Sequence, residues 1–348
     1  MIKTSVVILN WNGAELLKKF LPTVLLHTET AHCEVVVADN NSTDNSIEVL
    51  TKHFPTVKLI LLDKNYGFAE GYNLALQRLS TEYVVLMNSD VETSDNWLEP
   101  LIAYLENNPD TAAVQPKILS FTDKSKFEYA GAAGGYIDRY GYPFCRGRVL
   151  NVLEEDRGQY NNIEQIFWAT GACFCMRLKD YEEAGGLDGD FFAHMEEIDL
   201  CWRLQSRGSN IVCVPQSTVY HLGGASLHSE SPRKTYLNFR NNLLMIYKNT
   251  SRKKLIEIFV TRIVLDVGAA FRFVLSDKLK HAQSIVKAYT DFIKMQPSFK
   301  HKRKENSAKT VQHNIPQQYN GSILFDFYLR QKKTYHSIFP VSTSTIEG

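Results

Sequence analysis

The first 90 residues alternate short runs of β-branched and apolar residues with longer stretches in which apolar residues recur at helical spacing. Strands are predicted at residues 5–9, 34–38, 57–62 and 83–87, and helices at residues 15–26, 45–53 and 67–79. Alternation of this kind is typical of a parallel sheet that is covered on both faces. The sequence therefore predicts an α/β fold with a mostly parallel central sheet flanked by helices.

Polar residues follow three of the predicted strands, at the point where each strand ends. These polar clusters are residues 10–12, 39–44 and 88–90. In open α/β sheets, ligands bind in the crevice outside the carboxyl ends of the strands. The sequence therefore predicts a ligand site at this edge of the sheet.

From residue 91 onward the pattern is weaker. Helices are predicted at residues 97–107 and 196–205, and strands at residues 112–118, 164–169, 172–176 and 209–215. Residues 129–147 are rich in Gly and Tyr, and they are predicted to form a mobile loop near the site.

A dense group of carboxylates lies within residues 188–199, between a Gly-Gly pair and a predicted helix. If residues 196–205 are helical, Glu197 shares a face with Cys201 and Leu204 and heads an apolar stripe. Partial burial and neighbouring carboxylates raise the pKa of a carboxyl group, which suits a general base. The alternative is that these acids only complement the dipole at the start of the helix.

The overall net charge of +1 conceals a basic C-terminal segment. Residues 251–348 contain 17 Lys or Arg against 7 Asp or Glu, whereas the preceding 250 residues contain 22 against 31. A basic segment usually contacts something anionic, such as membrane headgroups or nucleic acid. Residues 255–293 are amphipathic, and residues 300–309 form a basic run predicted to be disordered or bound to a surface. The alternative is helices that pack on the rest of the chain or pair two subunits.

The predicted organisation is a domain at residues 1–250 followed by a helical appendage at residues 251–348. The six cysteines are too scattered for a disulfide framework or a zinc site, which predicts reduced thiols. The N-terminus enters a strand directly and lacks the features of a secretory signal, so a cytoplasmic protein is expected. Charged residues interrupt residues 255–275, which argues against a membrane-spanning helix there.

Seven segments, taken in order, resemble glycosyltransferase family 2, the inverting sugar transferases with a GT-A fold. They are SVVILNWNG, VVVADNNSTDNS, NYGFAEGYNLAL, VVLMNSD, GACFCMRLKDYEEAGGLDGDFF, EEIDLCWRLQSRG and HLGGAS. The resemblance covers residues 4 to about 250. It implies a nucleotide-binding half at residues 1–90 and an acceptor-binding half at residues 91–250.

The resemblance also assigns the nucleotide-binding side chains. Asp39 matches the family's aspartate that hydrogen-bonds the base, which favours uracil or thymine. Asp44 lies in the same loop, and a helix cap is its alternative role. The residues implied to bind the nucleotide are Asn10, Trp11, Asn12, Asp39, Asn41, Asn65, Gly67, Asn73, Asn88 and Asp90.

The family's metal-binding DXD motif corresponds to residues 88–90, where this chain keeps only the last acid. Asp90 is therefore implied to bind a divalent cation that bridges the donor phosphates, and His221 matches a histidine near that metal. Oxygen ligands and a diphosphate suit Mg²⁺ or Mn²⁺. The loss of one acid implies weaker metal binding.

Glu197 aligns with the family's catalytic base, although this chain has Glu-Glu where the family usually has Glu-Asp. Glu196 remains a rival for the base, and Asp199 is implied to orient it or to contact the acceptor. Asp188 and Trp168 are implied acceptor contacts. Arg240 is implied to bind the diphosphate, with a salt bridge to the catalytic helix as its alternative.

The implied function is inverting transfer of a sugar from a UDP- or dTDP-sugar to a hydroxyl of a glycan or lipid-linked acceptor. The pattern is most similar to bacterial rhamnosyltransferase-like enzymes of surface polysaccharide synthesis. The C-terminal segment is expected to contact the inner face of the membrane or to form a homodimer, and no nucleic-acid partner is expected. The alternatives are a non-catalytic sugar-nucleotide-binding protein and a nicotinamide-dependent oxidoreductase, which is disfavoured because no G-x-G-x-x-G turn follows the first strand.

Overall fold

The computed structural model of the chain describes residues 2–28, 32–223 and 231–340. Residues 224–226 of the HLGGAS segment lie outside these ranges. In chain order the described strands are β1 (Thr4–Asn10), β2 (Cys33–Asp39), β3 (Lys58–Leu61), β4 (Tyr83–Asn88), β5 (Val91–Thr93), β6 (Thr111–Ser120), β7 (Gly135–Asp138), β8 (Pro143–Cys145), β9 (Arg148–Val149), β10 (Val152–Leu153), β11 (Glu164–Gln165), β12 (Cys173–Arg177), β13 (Asn210–His221) and β14 (Gln318–Tyr319).

The helices connect and cover these strands. In chain order they are α1 (Ala14–Thr28), α2 (Ser46–His53), α3 (Gly67–Leu76), α4 (Glu99–Asn107), α5 (Leu178–Ala184), α6 (Glu196–Ser206), α7 (Pro232–Asn249), α8 (Arg252–Leu275), α9 (Leu279–Lys309), α10 (Ile323–Tyr328) and α11 (Tyr335–Ile338). Each strand and helix predicted within the first 90 residues is present, with ends shifted by a few residues.

Nine strands form the main sheet within the described residues. Their spatial order is β11-β13-β6-β12-β4-β1-β2-β3, and β5 pairs with β13. Strands β3, β2, β1 and β4 are parallel neighbours, as are β13 and β6. Strand β12 runs antiparallel between β4 and β6. The predicted α/β fold with a mostly parallel central sheet is confirmed.

Both faces of the parallel strands are buried. Val6 and Ile8 of β1 pack in one core cluster with Leu17 of α1. Val7 points to the opposite face and packs in a second cluster with Tyr72 of α3. Because side chains alternate along a strand, a strand covered on both faces has to be apolar throughout. The sheet therefore forms a rigid platform whose carboxyl edge carries the polar clusters.

A second sheet contains the Gly- and Tyr-rich segment. Residues 129–147, predicted to be a mobile loop, supply β7 and β8 of a five-stranded sheet in the described part of the chain. Tyr136 and Phe144 are buried there and stack with ring centroids 5.8 Å apart. Gly135 lies directly against the Trp168 ring, so a side chain at this position would clash. The loop prediction is wrong because this glycine permits close packing instead of flexibility.

The C-terminal segment packs on the rest of the chain. Residues 300–309, predicted to be disordered or bound to a surface, are the last turns of α9. Phe292 and Phe299 of α9 join the larger core cluster, and β14 pairs with β7. The disorder prediction is therefore wrong, because these apolar contacts hold the helix in place. The domain boundary near residue 250 stays a prediction.

Helix α8 has an unusual distribution of polar and apolar residues. Its inner face buries an ion pair in which Arg262 Nη2 lies 3.1 Å from Asp266 Oδ2. Its outer face carries apolar side chains that are largely exposed at Ile256, Val260, Ile263, Val264, Val267, Phe271, Val274 and Leu275. We call these eight residues the outer stripe. None of the described helices has both the length and the apolarity that a membrane span requires.

Candidate active site

The carboxyl ends of β1 and β2 bring Asn10 and Asp39 together. These residues are partners in the parallel register, and Asn10 Nδ2 donates to Asp39 Oδ2 at 2.9 Å. The backbone N–H of Ser42 donates to Asp39 Oδ1 at 2.8 Å. Both carboxylate oxygens therefore have a partner that fixes their direction. Asn10 Oδ1 is buried and has no hydrogen-bond partner among the described residues, so it is an available acceptor.

Hydrogen bonds join the turn that follows β1 to the turn that follows β2. Asn12 Oδ1 accepts from the backbone N–H of Thr43 at 2.7 Å. Asp44 accepts from the backbone N–H of Ala14 at 3.0 Å, at the start of α1, and from that of Ser46 at the start of α2. Asp44 therefore caps two helices, which is the alternative role that the sequence allowed.

Trp11 and Asn41 border these two turns and remain exposed. Trp11 keeps 51% of its surface accessible, although it is a large aromatic residue. Asn41 adopts a left-handed backbone conformation with φ of 60°. Neither side chain has a described hydrogen-bond partner that would hold it away from a ligand.

Asn40 is a residue that the sequence analysis missed. It is 2% exposed, and its Nδ2 donates to the carbonyl of Gly67 at 2.9 Å while its Oδ1 accepts from the backbone N–H of Tyr66 at 2.9 Å. Asn65 supports the same turn, because its Oδ1 accepts from the N–H of Gly67 at 2.8 Å. Its position in the sequence indicates a role at the sheet edge, because Asn40 directly follows the last residue of β2. Its side chain joins the end of β2 to the start of α3.

The start of α3 lies against residue Phe192. Gly67 has φ of +78°, and a Cβ at this position would lie 2.5 Å from the Phe192 ring. The carbonyl of Phe192 accepts from the backbone N–H of Phe68 at 2.6 Å. Glycine is needed here for both reasons, the conformation and the close approach. This contact joins the nucleotide-side turns to the loop that precedes α6.

Asn73, predicted to bind nucleotide, is fully occupied by the protein. Its Nδ2 donates to the carbonyl of Leu187 at 2.9 Å, and its Oδ1 accepts from the N–H of Leu187 at 3.0 Å. Oδ1 also accepts from the Tyr181 hydroxyl at 2.6 Å. The amide therefore holds the turn before Asp188 in place and has little capacity left for a ligand.

Asp90 and His221 meet at the end of β4. His221 Nε2 lies 3.1 Å from Asp90 Oδ1 and 3.3 Å from Asn88 Nδ2. Glu128, which the sequence analysis did not identify, lies on the other side of the ring, with Oε1 3.4 Å from Nδ1. Burial by itself would lower the pKa of His221, but the hydrogen bond to Asp90 and the negative charges of Asp90 and Glu128 raise it to about 10. The described residues contain no group of three or more His, Cys, Asp or Glu placed to hold a metal.

Two carboxyl groups open α6. Glu196 is buried and Glu197 is half-buried, and each has an Oε2 atom without a hydrogen-bond partner among the described residues. Burial raises the pKa of Glu197 to about 7, although the backbone N–H groups at the start of the helix oppose this shift. Burial, followed by the charge of Glu197, raises the pKa of Glu196 well above its ordinary value. Glu197 is therefore the carboxyl group that ionises near neutral pH.

The loop before α6 is strained and is held by α7. Phe192, His194 and Met195 all have positive φ, between 66° and 73°. Asn241 Nδ2 lies within 2.9 Å of three loop carbonyls, those of residues 191, 193 and 194. Arg240 Nη2 donates to the carbonyls of residues 190 and 191 at 3.0 Å. Strain of this kind persists only where the surroundings impose it, and it clusters at functional sites.

Asp199, predicted to orient the base or contact the acceptor, is enclosed in a buried ion cluster. It is 0% exposed, and it accepts from Lys248 Nζ at 2.7 Å, from Arg203 Nε at 2.9 Å and from Asn249 Nδ2 at 2.7 Å. Its oxygens face this cluster and have little capacity left for an acceptor hydroxyl, so acceptor contact by Asp199 stays a prediction. Asp199 fixes α6 against α7.

Asp188 belongs to the same ion cluster. Lys248 Nζ lies 2.6 Å from its Oδ2, and Lys302 Nζ of α9 lies 2.5 Å from its Oδ1. Burial alone would raise the pKa of Asp188, but the two ammonium groups hold it well below its ordinary value. Asp188 is therefore ionised and paired on both oxygens, which leaves it little capacity for an acceptor hydroxyl.

Trp168, predicted to contact the acceptor, is part of the core. It is 4% exposed, its ring covers Gly135, and its Nε1 donates to the carbonyl of Tyr136 at 2.9 Å. The ring fills the junction between the two sheets, so acceptor contact by Trp168 stays a prediction that this packing does not favour. An acceptor could not reach it without displacing this packing.

The predicted clusters lie at one edge of the main sheet. Asn10 and Asp39 are register partners, and Leu9 beside Asn10 is the partner of Asn88, so β1, β2 and β4 end together. The backbone N–H of Asn88 donates to the carbonyl of Ala172 at 2.9 Å, which places the start of β12 at this edge. A nearby open cavity of about 530 Å³ is bordered by residues 64–66 on one side and 188–192 on the other.

Known proteins are similar to this chain in sequence. The model of the family described as "Glycosyl transferase family 2" matches residues 5–184. The chain is 26% identical over 235 residues to the O-antigen biosynthesis protein RfbC of Myxococcus xanthus, covering 66% of this chain and 18% of that protein. It is 25% identical to the N-acetylglucosaminyl-diphospho-decaprenol L-rhamnosyltransferase of Mycobacterium tuberculosis, covering 62% of this chain and 75% of the relative.

Solved structures agree with the fold. The crystal structure of GalNAc-T7 with UDP, GalNAc and Mn²⁺ superimposes with a TM-score of 0.55 at 16% identity, covering 71% of this chain and 48% of that one. At this identity the likeness establishes the fold and nothing further. The GT-A fold expected from the sequence is confirmed.

Proposed function

Since this chain belongs to glycosyl transferase family 2, we propose that it moves a sugar from a nucleoside-diphosphate donor, UDP- or dTDP-linked, to a hydroxyl of a glycan or lipid-linked acceptor. Inversion at the anomeric carbon is the general outcome in this family. Family membership removes the nicotinamide-dependent oxidoreductase from consideration. A non-catalytic sugar-nucleotide-binding protein remains the alternative to be tested.

We propose that the base of the donor lies at the ends of β1 and β2. The oriented Asp39 carboxylate and the unpartnered Asn10 Oδ1 are two hydrogen-bond acceptors at this edge. Acceptors of this kind suit the ring N–H of uracil or thymine. The exposed Trp11 ring offers an apolar surface beside them, and Asn12 and Asn41 shape the turns. Asn40 and Asn65 hold the start of α3 at Gly67 beside this pocket.

We propose that Asp90 and His221 hold a divalent cation, which would replace the proton that joins His221 Nε2 to Asp90. Their Oδ1 and Nε2 atoms converge to 3.1 Å, and an oxygen with an imidazole nitrogen suits Mn²⁺ or Mg²⁺ when a diphosphate supplies further oxygens. The Glu128 carboxylate on the far side of the ring would hold the His221 orientation, as outer carboxylates do for metal-bound histidines. When bound, the cation would stabilise negative charge on the leaving diphosphate.

We propose Glu197 as the general base. The observation that carries the proposal is a half-buried carboxyl group at the start of α6, with one unpartnered oxygen and a pKa raised to about 7. Such a group is ionised in part at neutral pH and is basic enough to take a proton from an acceptor hydroxyl. Glu196, whose pKa is raised further by burial beside Glu197, would stay protonated.

The other side chains predicted to act in the site receive positioning roles in this proposal. Asp188 and Asp199 hold α6 and the preceding turn through Lys248. Arg240 holds the strained loop through two carbonyls, so a diphosphate would have to compete for its guanidinium group. Diphosphate binding by Arg240 stays a prediction. Asn73 fixes the Leu187 backbone.

The proposed activity is tested by nucleoside diphosphate release from a panel of UDP- and dTDP-sugars, with a lipid-linked acceptor and Mn²⁺ or Mg²⁺. Release is expected from at least one donor, and chelation with EDTA is expected to lower the rate roughly 10- to 100-fold. Asp90→Asn should weaken Mn²⁺ binding to the UDP complex, as measured by calorimetry. Binding of a sugar nucleotide without release under any condition would establish the non-catalytic alternative.

We propose that the outer stripe of α8 lies on an anionic membrane surface. Eight apolar residues are exposed on the outer face of α8, whereas an Arg–Asp pair is buried on its inner face. An exposed apolar face of this size is unfavourable in water and marks an interaction surface. Arg252, Lys253 and Lys254 at the start of the helix are exposed and carry the charge that complements anionic headgroups. An apolar face flanked by cations is typical of helices that lie in the membrane interface.

The membrane proposal is tested by co-sedimentation with phosphatidylglycerol vesicles. Val264→Ser combined with Val267→Ser is expected to lower the bound fraction at least severalfold, because two apolar side chains no longer enter the interface. The matched control changes two exposed apolar residues elsewhere, Leu26→Ser and Val311→Ser, and should bind like the unmodified protein. Equal binding by all three proteins contradicts the proposal, and a concentration-dependent dimer lost only in the stripe variant would assign the face to a second copy.

A further inference from the structure

A large cavity lies away from the polar clusters at the carboxyl edge. It has a volume of about 910 Å³ and is enclosed by the C-terminal ends of α6 and α7, the start of α8, the last turns of α9 and residues 310–320. We call it the basic cavity. Neither Asp39, Asp90 nor Glu197 is among its lining residues. The proposed donor site and general base therefore do not account for it.

The lining of the basic cavity is strongly cationic. Seven Lys or Arg side chains line it against one carboxylate, Glu257. Glu257 is bonded to Arg139, and Lys248 is paired with Asp188 and Asp199. Five lining cations have no ion pair within the described residues: Arg252, Lys254, Lys300, Arg303 and Lys304. The cavity therefore contains several positive charges that no carboxylate of the described residues neutralises.

A buried hydroxyl points to a ligand in the same cavity. Thr250 lines the cavity, is 8% exposed, and has an Oγ1 atom with no hydrogen-bond partner among the described residues. Leaving a buried hydroxyl unpaired is unfavourable, so an unpaired hydroxyl beside cations without ion pairs indicates a ligand that accepts a hydrogen bond. The 24-residue helix α8 begins beside it, and the Ser251 side chain caps none of the N–H groups of the first turn. Such a helix start favours anions.

We propose that the basic cavity binds the phosphate groups of a polyanionic ligand, of the size of a diphosphate or larger. The planar guanidinium group of Arg252 can bind two phosphate oxygens, and Arg303, whose Nη1 donates to the Tyr247 carbonyl, has its other N–H groups left for the ligand. Thr250 Oγ1 supplies a donor that a phosphate oxygen can accept from. Several cations without ion pairs bind a ligand with more than one negative charge more strongly, which favours a diphosphate over a single carboxylate. The inference does not depend on which sugar the enzyme transfers.

Two sources of such a phosphate are compatible with the geometry. The outer stripe of α8 begins at Ile256, directly after the lining residues Arg252 and Lys254. A lipid-linked diphosphate could therefore place its phosphates in the cavity and its lipid along the stripe. A soluble polyphosphate could fill the cavity alone.

The test is calorimetric titration with inorganic pyrophosphate in a buffer with EDTA, so that a cation at Asp90 does not contribute. The full-length protein is expected to bind, and Lys300→Gln with Lys304→Gln should raise Kd roughly tenfold. The matched control changes two exposed lysines elsewhere on α9, Lys280→Gln and Lys294→Gln, and should leave Kd unchanged. No binding, or the same loss in both variants, overturns the proposal.

Thr250→Val provides a second test that does not alter charge. The replacement keeps the shape of the side chain and removes only the hydroxyl. A severalfold higher Kd for pyrophosphate is expected if Oγ1 contacts the ligand, together with a higher melting temperature of the free protein because no unpaired hydroxyl remains. An unchanged Kd would overturn the role of Thr250.

Calorimetric titration with farnesyl diphosphate distinguishes a lipid-linked diphosphate from a soluble polyphosphate as the ligand. Tighter binding of farnesyl diphosphate than of pyrophosphate, with the difference lost in the Val264→Ser and Val267→Ser protein, supports a lipid-linked ligand. Equal affinity for the two compounds supports a soluble one. Nucleoside diphosphate release without an acceptor should be normal in the Lys300 and Lys304 variant, which separates a failure of the cavity from a failure of donor chemistry.

Discussion

Glu197→Gln is expected to lower the rate of sugar transfer roughly 100- to 10,000-fold while leaving donor binding within about twofold of the unmodified protein. Gln has the same shape but cannot accept the proton of an acceptor hydroxyl. The proposed donor contacts at Asp39 and Asp90 lie on other elements of the sheet edge and are unaffected by this change. The measurement is nucleoside diphosphate release under single-turnover conditions, with donor affinity from calorimetry.

The pH profile gives an independent check on Glu197. Its pKa is raised to about 7, so the ionised base is lost as pH falls, and kcat/KM should decline below pH 7. The free energy of unfolding should change in the opposite direction, because it should decrease as pH rises. A carboxyl group whose folded pKa is raised destabilises the fold as pH rises from about 4.5 to 7, because the buried charge must then form. Glu197→Gln should therefore gain stability relative to the unmodified protein between these values.

Glu196→Gln is the matched control for Glu197→Gln. Glu196 is adjacent and more deeply buried, and its proposed state is protonated, so Gln replaces a neutral group by a neutral group. Its rate should fall less than tenfold. If Glu196→Gln abolishes transfer while Glu197→Gln does not, the base is Glu196 and the assignment made from the pKa order is wrong.

The parallel half of the fold could be predicted from the sequence because its signal is local. Val6, Val7 and Ile8 form an apolar run, and both faces of β1 are in fact buried. Parallel strands that begin and end together also place Asn10, Asp39 and Asn88 at one edge without further information. That is why the polar clusters could be assigned to one place before any contact was known.

The residues whose surroundings could not be predicted from the sequence are those that contact distant parts of the chain. Asp199 resembles a catalytic acid in sequence, but Lys248 reaches it from α7 and encloses it. Trp168 resembles a ligand-binding aromatic residue, but Gly135 gives it a surface on which to pack. Asn40 had no distinguishing pattern, because its role depends on the turn at Gly67. The spacing of residues in the sequence shows local periodicity, but it does not show which distant residues contact each other.

Lys248→Met is expected to lower the free energy of unfolding by about 3 kcal/mol, as measured by urea denaturation at pH 7. Lys248 is 4% exposed and lies within 2.7 Å of both Asp188 and Asp199. Met matches the length of the side chain but leaves two buried carboxylates with less positive charge. The loss is placed at the lower end of the usual range because Arg203 and Lys302 remain as partners.

The effect of Lys248→Met should depend on pH in a defined direction. The pKa of Asp188 is held below its ordinary value, so its pairing stabilises the fold above about pH 4 and this contribution is lost as pH falls. The gap in unfolding free energy between Lys248→Met and the unmodified protein should therefore stay nearly constant from pH 7 to about 4 and narrow as pH falls further. A gap that does not narrow below about pH 4 would mean that packing, and not charge, is the contribution of this side chain.

Lys302→Met is the control that separates burial from charge. Lys302 also pairs with Asp188, but its side chain is 25% exposed and it does not contact Asp199, so a loss of about 1 kcal/mol is expected. Because Asp199 lies in the first turns of α6, Lys248→Met should also let this helix shift and lower kcat more than it raises KM. Equal losses of stability in the two variants, with kcat unchanged in both, would show that the ion cluster neither depends on burial nor positions Glu197.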